Sequence, residues 1–126
     1  MTIHNLGTKT TILGLLRNDV VAATATGSAI DLLGYEGDMA VLLDAEAGGP
    51  SITYAVKLTE SDTSGGTYTD VTGGAFTTTT ANTASLQKIT VNVTSLKRFV
   101  KATATVAGGT GAGAVAVIGL ASAKYG

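Results

Sequence analysis

The sequence contains no cysteine and no tryptophan, and it has one proline among 126 residues. Without cysteine, disulfide bonds, thiolate nucleophiles and cysteine-ligated zinc are excluded, and nothing is implied about the redox compartment. Because only two phenylalanines and four tyrosines are present, the core must be built from valine, isoleucine, leucine and alanine. A thin core of this kind often gains stability from association with other chains.

Charge is also scarce, since charged residues make up 13% of the chain and the formal net charge is −1. Binding to nucleic acid requires clustered lysine and arginine, and the nearest approach to a cluster is Lys97, Arg98 and Lys101. We interpret these three residues as a solvated strand edge, so no nucleic acid partner is expected. A weakly charged surface instead favours protein association.

Long apolar runs are missing as well. The longest, from Ala112 to Ala121, is about half the length that a membrane-spanning helix needs. Met1 to Leu16 lacks the basic start and the continuous apolar run of a secretory signal. We therefore expect a soluble protein made in the cytosol of the cell that produces it, with no membrane partner.

The clearest structural pattern lies between Ser51 and Val71. Large apolar residues alternate with small or polar ones from Ile52 to Thr59, which is the period of a half-buried β-strand. A polar turn containing two glycines, Glu60 to Gly66, follows, and Thr67 to Val71 is a second short strand. This stretch predicts a β-hairpin with a polar tip.

Similar strand patterns recur along the rest of the chain. Further strands are predicted at Val20 to Thr26, Ala29 to Leu33, Asp38 to Ala45, Leu86 to Val93, Phe99 to Val106 and Gly113 to Ala121. Asp38 to Ala45 is apolar on both faces, which predicts a central strand covered on both sides. Gly113 to Ala121 is also apolar on both faces and is predicted to be buried in the sheet or in a subunit contact. Phe76 to Thr83 is polar and β-branched, and predicts an exposed strand or a long loop.

Eight or nine short strands with glycine-rich turns and no amphipathic helix predict an all-β fold. We expect a single-domain antiparallel β-sandwich over residues 17–126, with Greek-key or jelly-roll-like connections. Residues 1–16 are predicted to form an extended N-terminal arm. Met1 to Thr11 has no clean period, and Thr11 to Leu16 could be a short strand or one helical turn. A turn is expected at Gly34 to Gly37.

No catalytic, cofactor-binding or metal-binding residue is predicted. The single histidine, His4, lies in the predicted arm without a nearby carboxylate, and no serine has the surroundings of a nucleophile elbow. The glycines from Gly108 to Gly113 lack the lysine and the helix of a phosphate-binding loop. The pattern therefore does not indicate an enzyme.

Two groups of acidic residues deserve comparison with metal sites. The first group, on the predicted hairpin, consists of Glu60, Asp62 and Asp70. The second group consists of Asp38, Asp44 and Glu46. The hairpin group could ligate calcium through oxygen, but capping of the turn by Asp62 and Ser64 explains it without a metal. In the second group a salt bridge from Asp44 to lysine or arginine is the favoured interpretation.

Four segments resemble, in this order, small all-β virion proteins of tailed bacteriophages. They are IDLLGYEG (30–37), VLLDA (41–45), VKLTESD with YTDV (56–62 and 68–71) and KRFVKA (97–102). In that group a K-L-x-E-S-D … G-x-Y/W-T-D-V hairpin precedes a K-R-Y/F-V-R/K strand. The resemblance covers roughly residues 28–106, and Tyr68 stands where tryptophan is common.

The resemblance implies a non-enzymatic decoration or cement protein on the outside of a phage capsid. The implied partners are the major capsid protein and further copies of this chain, with a trimer as one arrangement, and the implied location is the virion surface. We expect the arm from Met1 to Leu16 to lie across the capsid, and Gly113 to Ala121 to pack against a sibling subunit. Repetition over many copies would make modest contacts strong.

Three alternatives remain open from the sequence. One is another virion component, either a tail protein or a head-completion protein. A calcium-stabilised adhesion domain would lose stability on metal removal. A carbohydrate-binding sandwich module would need an exposed aromatic platform, for which the chain offers Tyr35, Tyr54, Tyr68, Tyr125, Phe76 and Phe99.

Overall fold

Two antiparallel β-sheets face each other in the computed structural model, which describes residues 10–21, 24–48, 51–108 and 113–123. Side chains are described for all of these residues except 17–21 and 123. Nine strands and one short 3-10 helix, Val93–Ser95, lie in these ranges. No helix in the described ranges has the length and apolar character needed to cross a membrane.

Each sheet has strands from both halves of the chain. Sheet A has the order β1-β9-β4-β7, with β1 at Thr11–Val21, β9 at Gly113–Ala123, β4 at Tyr35–Ala45 and β7 at Ser85–Asn92. Sheet B has the order β2-β8-β5-β6, with β2 at Ala25–Thr26, β8 at Phe99–Ala107, β5 at Thr53–Ser61 and β6 at Thr69–Ala75. The short strand β3, Ile30–Asp31, also pairs with β8.

The strand pairs are nested in the sequence. β5 pairs with β6, β4 with β7, β2 and β3 with β8, and β1 with β9, and all of these pairs are antiparallel. This is the pattern of one long hairpin rolled into two sheets, with β2 and β3 sharing one strand position, and it defines a jelly roll. The predicted all-β antiparallel sandwich is confirmed, and its connections are of the jelly-roll kind.

The core is the layer of apolar side chains between the inner faces of the two sheets. The predicted alternation is confirmed in β5 and β8, since Tyr54, Val56, Leu58, Val100, Ala102 and Ala104 are buried. Sheet A contributes the facing set, which includes Leu15, Met39, Val41, Leu43, Val115 and Val117. Small and medium aliphatic residues fill most of this layer, as the scarcity of aromatic residues predicts.

Tyr54 is the largest fully buried side chain among the described residues. Its hydroxyl oxygen accepts a hydrogen bond from the backbone N–H of Gly113 in sheet A at 2.8 Å. Its own N–H donates to Oγ1 of Thr79 at 2.8 Å, and its carbonyl accepts from the N–H of Thr79 at 3.0 Å. Because buried polar groups need partners, this one residue joins β5 to both β9 and the segment after β6.

The strand β1 is irregular, with register shifts against β9 after Gly14 and after Leu16. As a result Leu15 and Leu16, which are consecutive, are both buried. An extra residue in one strand of an antiparallel pair produces this effect, because it interrupts the strict alternation of faces. The bulge therefore lets an edge strand supply two adjacent side chains to the core.

The side chain of Gln87 in β7 bridges the gap between the two sheets at one edge. Its Nε2 donates to the carbonyl of Thr77 at 2.8 Å, and its Oε1 accepts from the N–H of Thr77 at 2.9 Å. The N–H of the preceding residue, Phe76, donates instead to Val56 of β5 at 2.9 Å. The amide of Gln87 thus contacts the side of the Thr77 backbone that faces away from β5.

Several predicted boundaries differ from the structure. Thr11 to Leu16, placed in the N-terminal arm by the sequence, form the first part of β1 and pair with β9. Residues 1–9 of the predicted arm lie outside the described residues. β4 begins at Tyr35, inside the predicted turn at Gly34 to Gly37. The predicted strand at Ala29 to Leu33 is reduced to two residues, because Asp31 binds the N–H of Leu33 and turns the chain there.

Two predictions about coverage also need correction or refinement. β4 was expected to be covered on both sides, yet Asp38 and Asp44 are exposed and Ala40 and Leu42 are only half-buried. Sheet B covers one face of β4, and no other described element covers the second face. Phe76 to Thr83 is a loop, and Phe76 is buried within it.

Replacing Gly27 with alanine should destabilise the fold because this residue lies directly against β1. The added Cβ would overlap the backbone carbonyl oxygen of Leu15, and backbone cannot swing aside as a side chain can. Gly27 is also held by its N–H, which donates to Ala102 at 2.9 Å. We expect a loss of about 1–3 kcal/mol in the free energy of unfolding, measured by urea denaturation.

The matched control is Gly34→Ala. A Cβ at Gly34 would meet no atom within 4 Å, so the change should stay within about 0.5 kcal/mol. Equal effects of the two substitutions would contradict the close approach of Gly27 to β1.

Candidate functional site

Residues of the predicted hairpin and of the strand that follows it make four side-chain contacts near one end of sheet B. We call the residues in these contacts the hairpin cluster, and it consists of Asp31, Lys57, Glu60, Tyr68, Asp70, Lys97, Arg98 and Lys101. β5 positions the cluster, because it pairs with β6 on one side and with β8 on the other. The three-stranded pairing therefore determines which charged side chains meet.

Both acidic residues at the strand ends of the hairpin have partners. Lys57 Nζ lies 2.8 Å from Asp70 Oδ1, across the β5–β6 pair. Glu60 Oε2 accepts a hydrogen bond at 3.0 Å from the backbone N–H of Lys97. These contacts link the hairpin to the chain that enters β8. Since Lys57 and Asp70 are substantially exposed, their ion pair contributes little to stability.

Tyr68 anchors the tip of the hairpin. Its hydroxyl donates a hydrogen bond to the carbonyl of Ser64 at 2.8 Å, which closes the turn. The ammonium of Lys101 lies 4.2 Å from the centroid of its ring, within the range of a cation–π contact. Tyr68 thus contacts the tip through its hydroxyl group and β8 through the face of its ring.

Asp31 and Arg98 form the most specific ion pair among the described residues. Arg98 Nε donates to Oδ1 of Asp31 at 3.0 Å, and its terminal nitrogen donates to Oδ2 at 2.8 Å. The N–H of Leu33 donates to the same Oδ1 at 3.0 Å. The hydrogen bonds from Arg98 and then from Leu33 hold the pKa of Asp31 below its ordinary value of 3.8. The same pairing raises the pKa of Arg98.

The structure revises the predicted role of the hairpin acids. Asp62 was expected to cap the turn, whereas Ser61 does so by accepting the N–H of Thr63 at 3.3 Å. Ser61 is buried and Asp62 is exposed, so the residue nearer the strand is better placed to cap. Within the described ranges, no three histidine, cysteine, aspartate or glutamate side chains are grouped to hold a metal ion.

The second acidic group is dispersed. Asp44 was predicted to form a salt bridge, but it has no basic partner within 4.0 Å among the described side chains. It lies opposite Leu86 of β7 and Ala116 of β9, neither of which is charged. Glu46 instead accepts the N–H of Ala114 at 3.5 Å. The expected salt bridge of Asp44 is therefore wrong for the described part of the chain.

The aromatic residues in the described ranges do not form an exposed platform. Tyr54 and Phe76 are buried in the core, the ring of Tyr68 is covered by Lys101, and the ring of Phe99 lies 5.0 Å from the guanidinium carbon of Arg98. Tyr35 is half-buried. Tyr125 and His4 lie outside the described residues, as do the glycines of the excluded phosphate loop at 109–112.

An open cavity of about 480 Å³ lies beside the hairpin cluster. It is bounded by apolar side chains that include Leu33, Tyr35 and Leu96, and by the basic residues Lys97 and Arg98. Sequence reasoning did not find this cavity. It forms where the turn after β3 approaches the 3-10 helix, two segments that are about sixty residues apart in the chain.

The outer face of sheet A is the second candidate surface. Four large apolar side chains are exposed among the described residues: Ile12 at 71%, Leu33 at 60%, Leu86 at 80% and Ile118 at 37%. Three of them, Ile12, Leu86 and Ile118, lie on this face. The side of β9 that points away from the core, which is also apolar, belongs to it. The sequence identified β9 as apolar on both faces, and the structure shows that one of those faces is only partly covered.

No protein-family model matches the sequence, and no curated protein matches it either. Solved structures share its fold. The SPBc2 prophage-derived protein YomS aligns with a TM-score of 0.54 and 14% identity, over 89% of this chain and 91% of YomS. The two chains therefore have the same fold over nearly their full lengths.

Two larger proteins contain a similar fold. The PBSX exported protein XepA aligns with a TM-score of 0.61 and 16% identity over 97% of this chain. A structure of the Gt strain of infectious bursal disease virus aligns with a TM-score of 0.54 and 9% identity over 90% of this chain. This chain spans 39% of XepA and 33% of the viral chain. At such identities the similarity establishes the fold alone.

The carboxylate of Asp31 should titrate below its ordinary pKa of 3.8. Because the pKa of Asp31 is lower in the folded state, its contacts with Arg98 and Leu33 stabilise the fold fully above the unfolded-state pKa. This stabilisation is lost as the pH falls through the folded-state pKa. Carboxyl-carbon NMR in the acid range measures the midpoint directly.

In the Arg98→Gln variant the midpoint should move up toward 3.8, while the remaining bond from Leu33 keeps part of the depression. Lys57→Gln, which leaves the Asp31 contacts intact, is the matched control. A midpoint that does not respond to Arg98→Gln would show that the ion pair does not exist in solution.

Proposed function

We propose that this chain is a non-enzymatic structural protein of a tailed-phage virion, which binds the outside of the capsid and stabilises the head. The observation that carries the proposal is the structural alignment with YomS, a prophage-derived protein. The alignment covers 89% of this chain and 91% of YomS. The PBSX exported protein XepA shares the fold over 97% of this chain. Jelly rolls occur both in viral capsids and in lectins. The fold alone therefore does not define the function, and further evidence is needed.

The hairpin cluster provides that further evidence. The segments that carry the resemblance to phage virion proteins, VKLTESD, YTDV and KRFVKA, contact one another through the Lys57–Asp70 pair, the Glu60–Lys97 bond and the Tyr68–Lys101 contact. The Asp31–Arg98 pair adds the first segment. Three of the four segments that carry the resemblance therefore meet in one part of the structure. The charged residues that contact a partner there are Asp31, Lys57, Glu60, Asp70, Arg98 and Lys101.

The surface chemistry suits a protein that is held by many repeated contacts. The described residues present a rigid two-sheet scaffold, a nearly neutral surface and one partly apolar sheet face. Modest contacts of this kind become strong when they repeat over a lattice of capsid subunits. The proposed partners are the major capsid protein and other copies of this chain.

The decisive experiment mixes the purified chain with undecorated heads of the phage that encodes it, followed by electron microscopy and co-sedimentation. We expect saturable binding, regularly spaced density on the outer surface, and heads that withstand higher temperature when decorated. Isolated tails and heads decorated beforehand are the controls. Binding to tails alone would assign the chain to the tail, and binding to neither would refute a structural role on the head.

Removing residues 2–9 should weaken binding to the heads by about tenfold or more, a factor equal to about 1.4 kcal/mol, if these residues lie across neighbouring capsid subunits. The deletion ends before Thr11, so β1 and its pairing with β9 are retained. Co-sedimentation at increasing protein concentration measures the change.

The control for this deletion replaces residues 2–9 with eight glycine and serine residues, and circular dichroism verifies the fold. Unchanged affinity after deletion would eliminate the arm as a capsid contact while leaving capsid binding itself in place.

A further inference from the structure

The outer faces of the two sheets differ in chemistry. On sheet B the outward residues of β5 and β8 are mostly polar and include Lys57, Thr59, Lys101, Thr103 and Thr105. On sheet A the outward residues are mostly apolar, and we call this set the outer apolar face: Ile12, Ala40, Leu42, Leu86, Ala114, Ala116, Ile118 and Leu120. In an isolated chain the apolar side chains of this face would contact water, which does not stabilise the fold.

The strand register makes the centre of this face continuous across three strands. Leu42 of β4 lies opposite Ile118 of β9, and Ala40 lies opposite Leu120. Leu120 in turn lies opposite Ile12 of β1. Directly opposed residues on one face have Cβ atoms about 4.5–5.5 Å apart, so these five side chains form one patch rather than isolated exposed residues.

The patch can be approached closely by another flat surface. Ala40 belongs to the patch, Ala114 and Ala116 lie on the same outer apolar face, and Gly14 lies opposite Ile118 on the β1 side. Two β-sheets stack face to face at about 10 Å when side chains of ordinary size interdigitate. Small residues around a few larger ones permit this packing, and an apolar centre with a polar border is the usual anatomy of a protein interface.

The border of the patch carries charges of both signs. Lys88 of β7 lies opposite Leu42, and Asp44 of β4 lies opposite Leu86. Both are exposed, and neither has an ion-pair partner within 4.0 Å among the described side chains. Asp38 is a further exposed acid on this face, opposite Asn92 near the other end of the β4–β7 pairing. The neighbouring residues Lys88 and Asp44 are complementary in charge to the same two residues of a second copy.

We propose that the outer apolar face is the contact between two copies of this chain, stacked sheet on sheet about a twofold axis. In a twofold contact the same patch is used by both partners, so a residue pair occurs twice. Lys88 of each copy would then face Asp44 of the other around the shared apolar centre. The inference concerns the protein in solution and holds whether or not the chain binds a capsid.

The first test is the mass of the purified protein over a dilution series, measured by analytical ultracentrifugation. The wild-type chain should be dimeric at high concentration and dissociate on dilution. Ile118→Asp places a charge in the centre of the patch and should abolish the dimer. Leu33→Asp is the matched control, because Leu33 is exposed to 60% but lies outside this face, and it should leave the dimer unchanged.

The second test addresses the charge pairing with surface variants that leave the core intact. Lys88→Asp should weaken dimerisation by about tenfold or more, because it sets like charges against each other across the contact. Asp44→Lys alone should have a similar effect. The double variant Lys88→Asp with Asp44→Lys restores opposite charges between copies, so it should recover most of the wild-type affinity.

Each result decides the question. A wild-type chain that stays monomeric up to about 1 mM, the weak end of measurable association, would overturn the proposal. If it is monomeric and Ile118→Asp also prevents binding to heads, the face belongs to a capsid contact and not to a second copy. Equal disruption by Leu33→Asp, or failure of the double variant to recover, would likewise contradict the twofold arrangement.

Discussion

The apolar layer between the two sheets is the interaction on which the rest of this structure depends. It is made largely of aliphatic side chains, and among the described residues Tyr54 is the one aromatic residue that reaches full burial in its centre. Burial of apolar area stabilises roughly in proportion to that area, so a layer of alanine and valine requires close contact over its whole extent. The approach of Gly27 to β1 and the bond from Gly113 to the Tyr54 hydroxyl are the consequences of that closeness.

Much of the fold could be predicted because the strands with one face in the core alternate regularly. β5 and β8 show this period clearly, and both were predicted as strands. β1 could not be identified in the same way, because its bulge places Leu15 and Leu16 on the same side and removes the alternation. Its partner, β9, also lies about a hundred residues later in the chain, and no local pattern specifies such a pairing.

The candidate surfaces were predictable only in part, for a related reason. The charged residues of the hairpin were recognised, but their partners depend on the register between β5, β6 and β8, which the sequence does not display. Arg98 therefore looked like part of a basic edge, whereas Asp31 of a two-residue strand neutralises it. The sequence predicted that β9 is apolar on both faces. That Ile12 of β1 and Leu86 of β7 lie on the same surface follows only from the order of the strands in sheet A.

The amide of Gln87 has a consequence for how this fold behaves when copies are crowded. The backbone N–H and C=O of Thr77 point away from β5 and would otherwise be free to accept a strand from a neighbouring molecule. Gln87 occupies both of them with the donor and acceptor that an added strand would have supplied. Exposed sheet edges promote edge-to-edge polymerisation. A single side chain thus imitates the missing strand and directs encounters between molecules away from this edge.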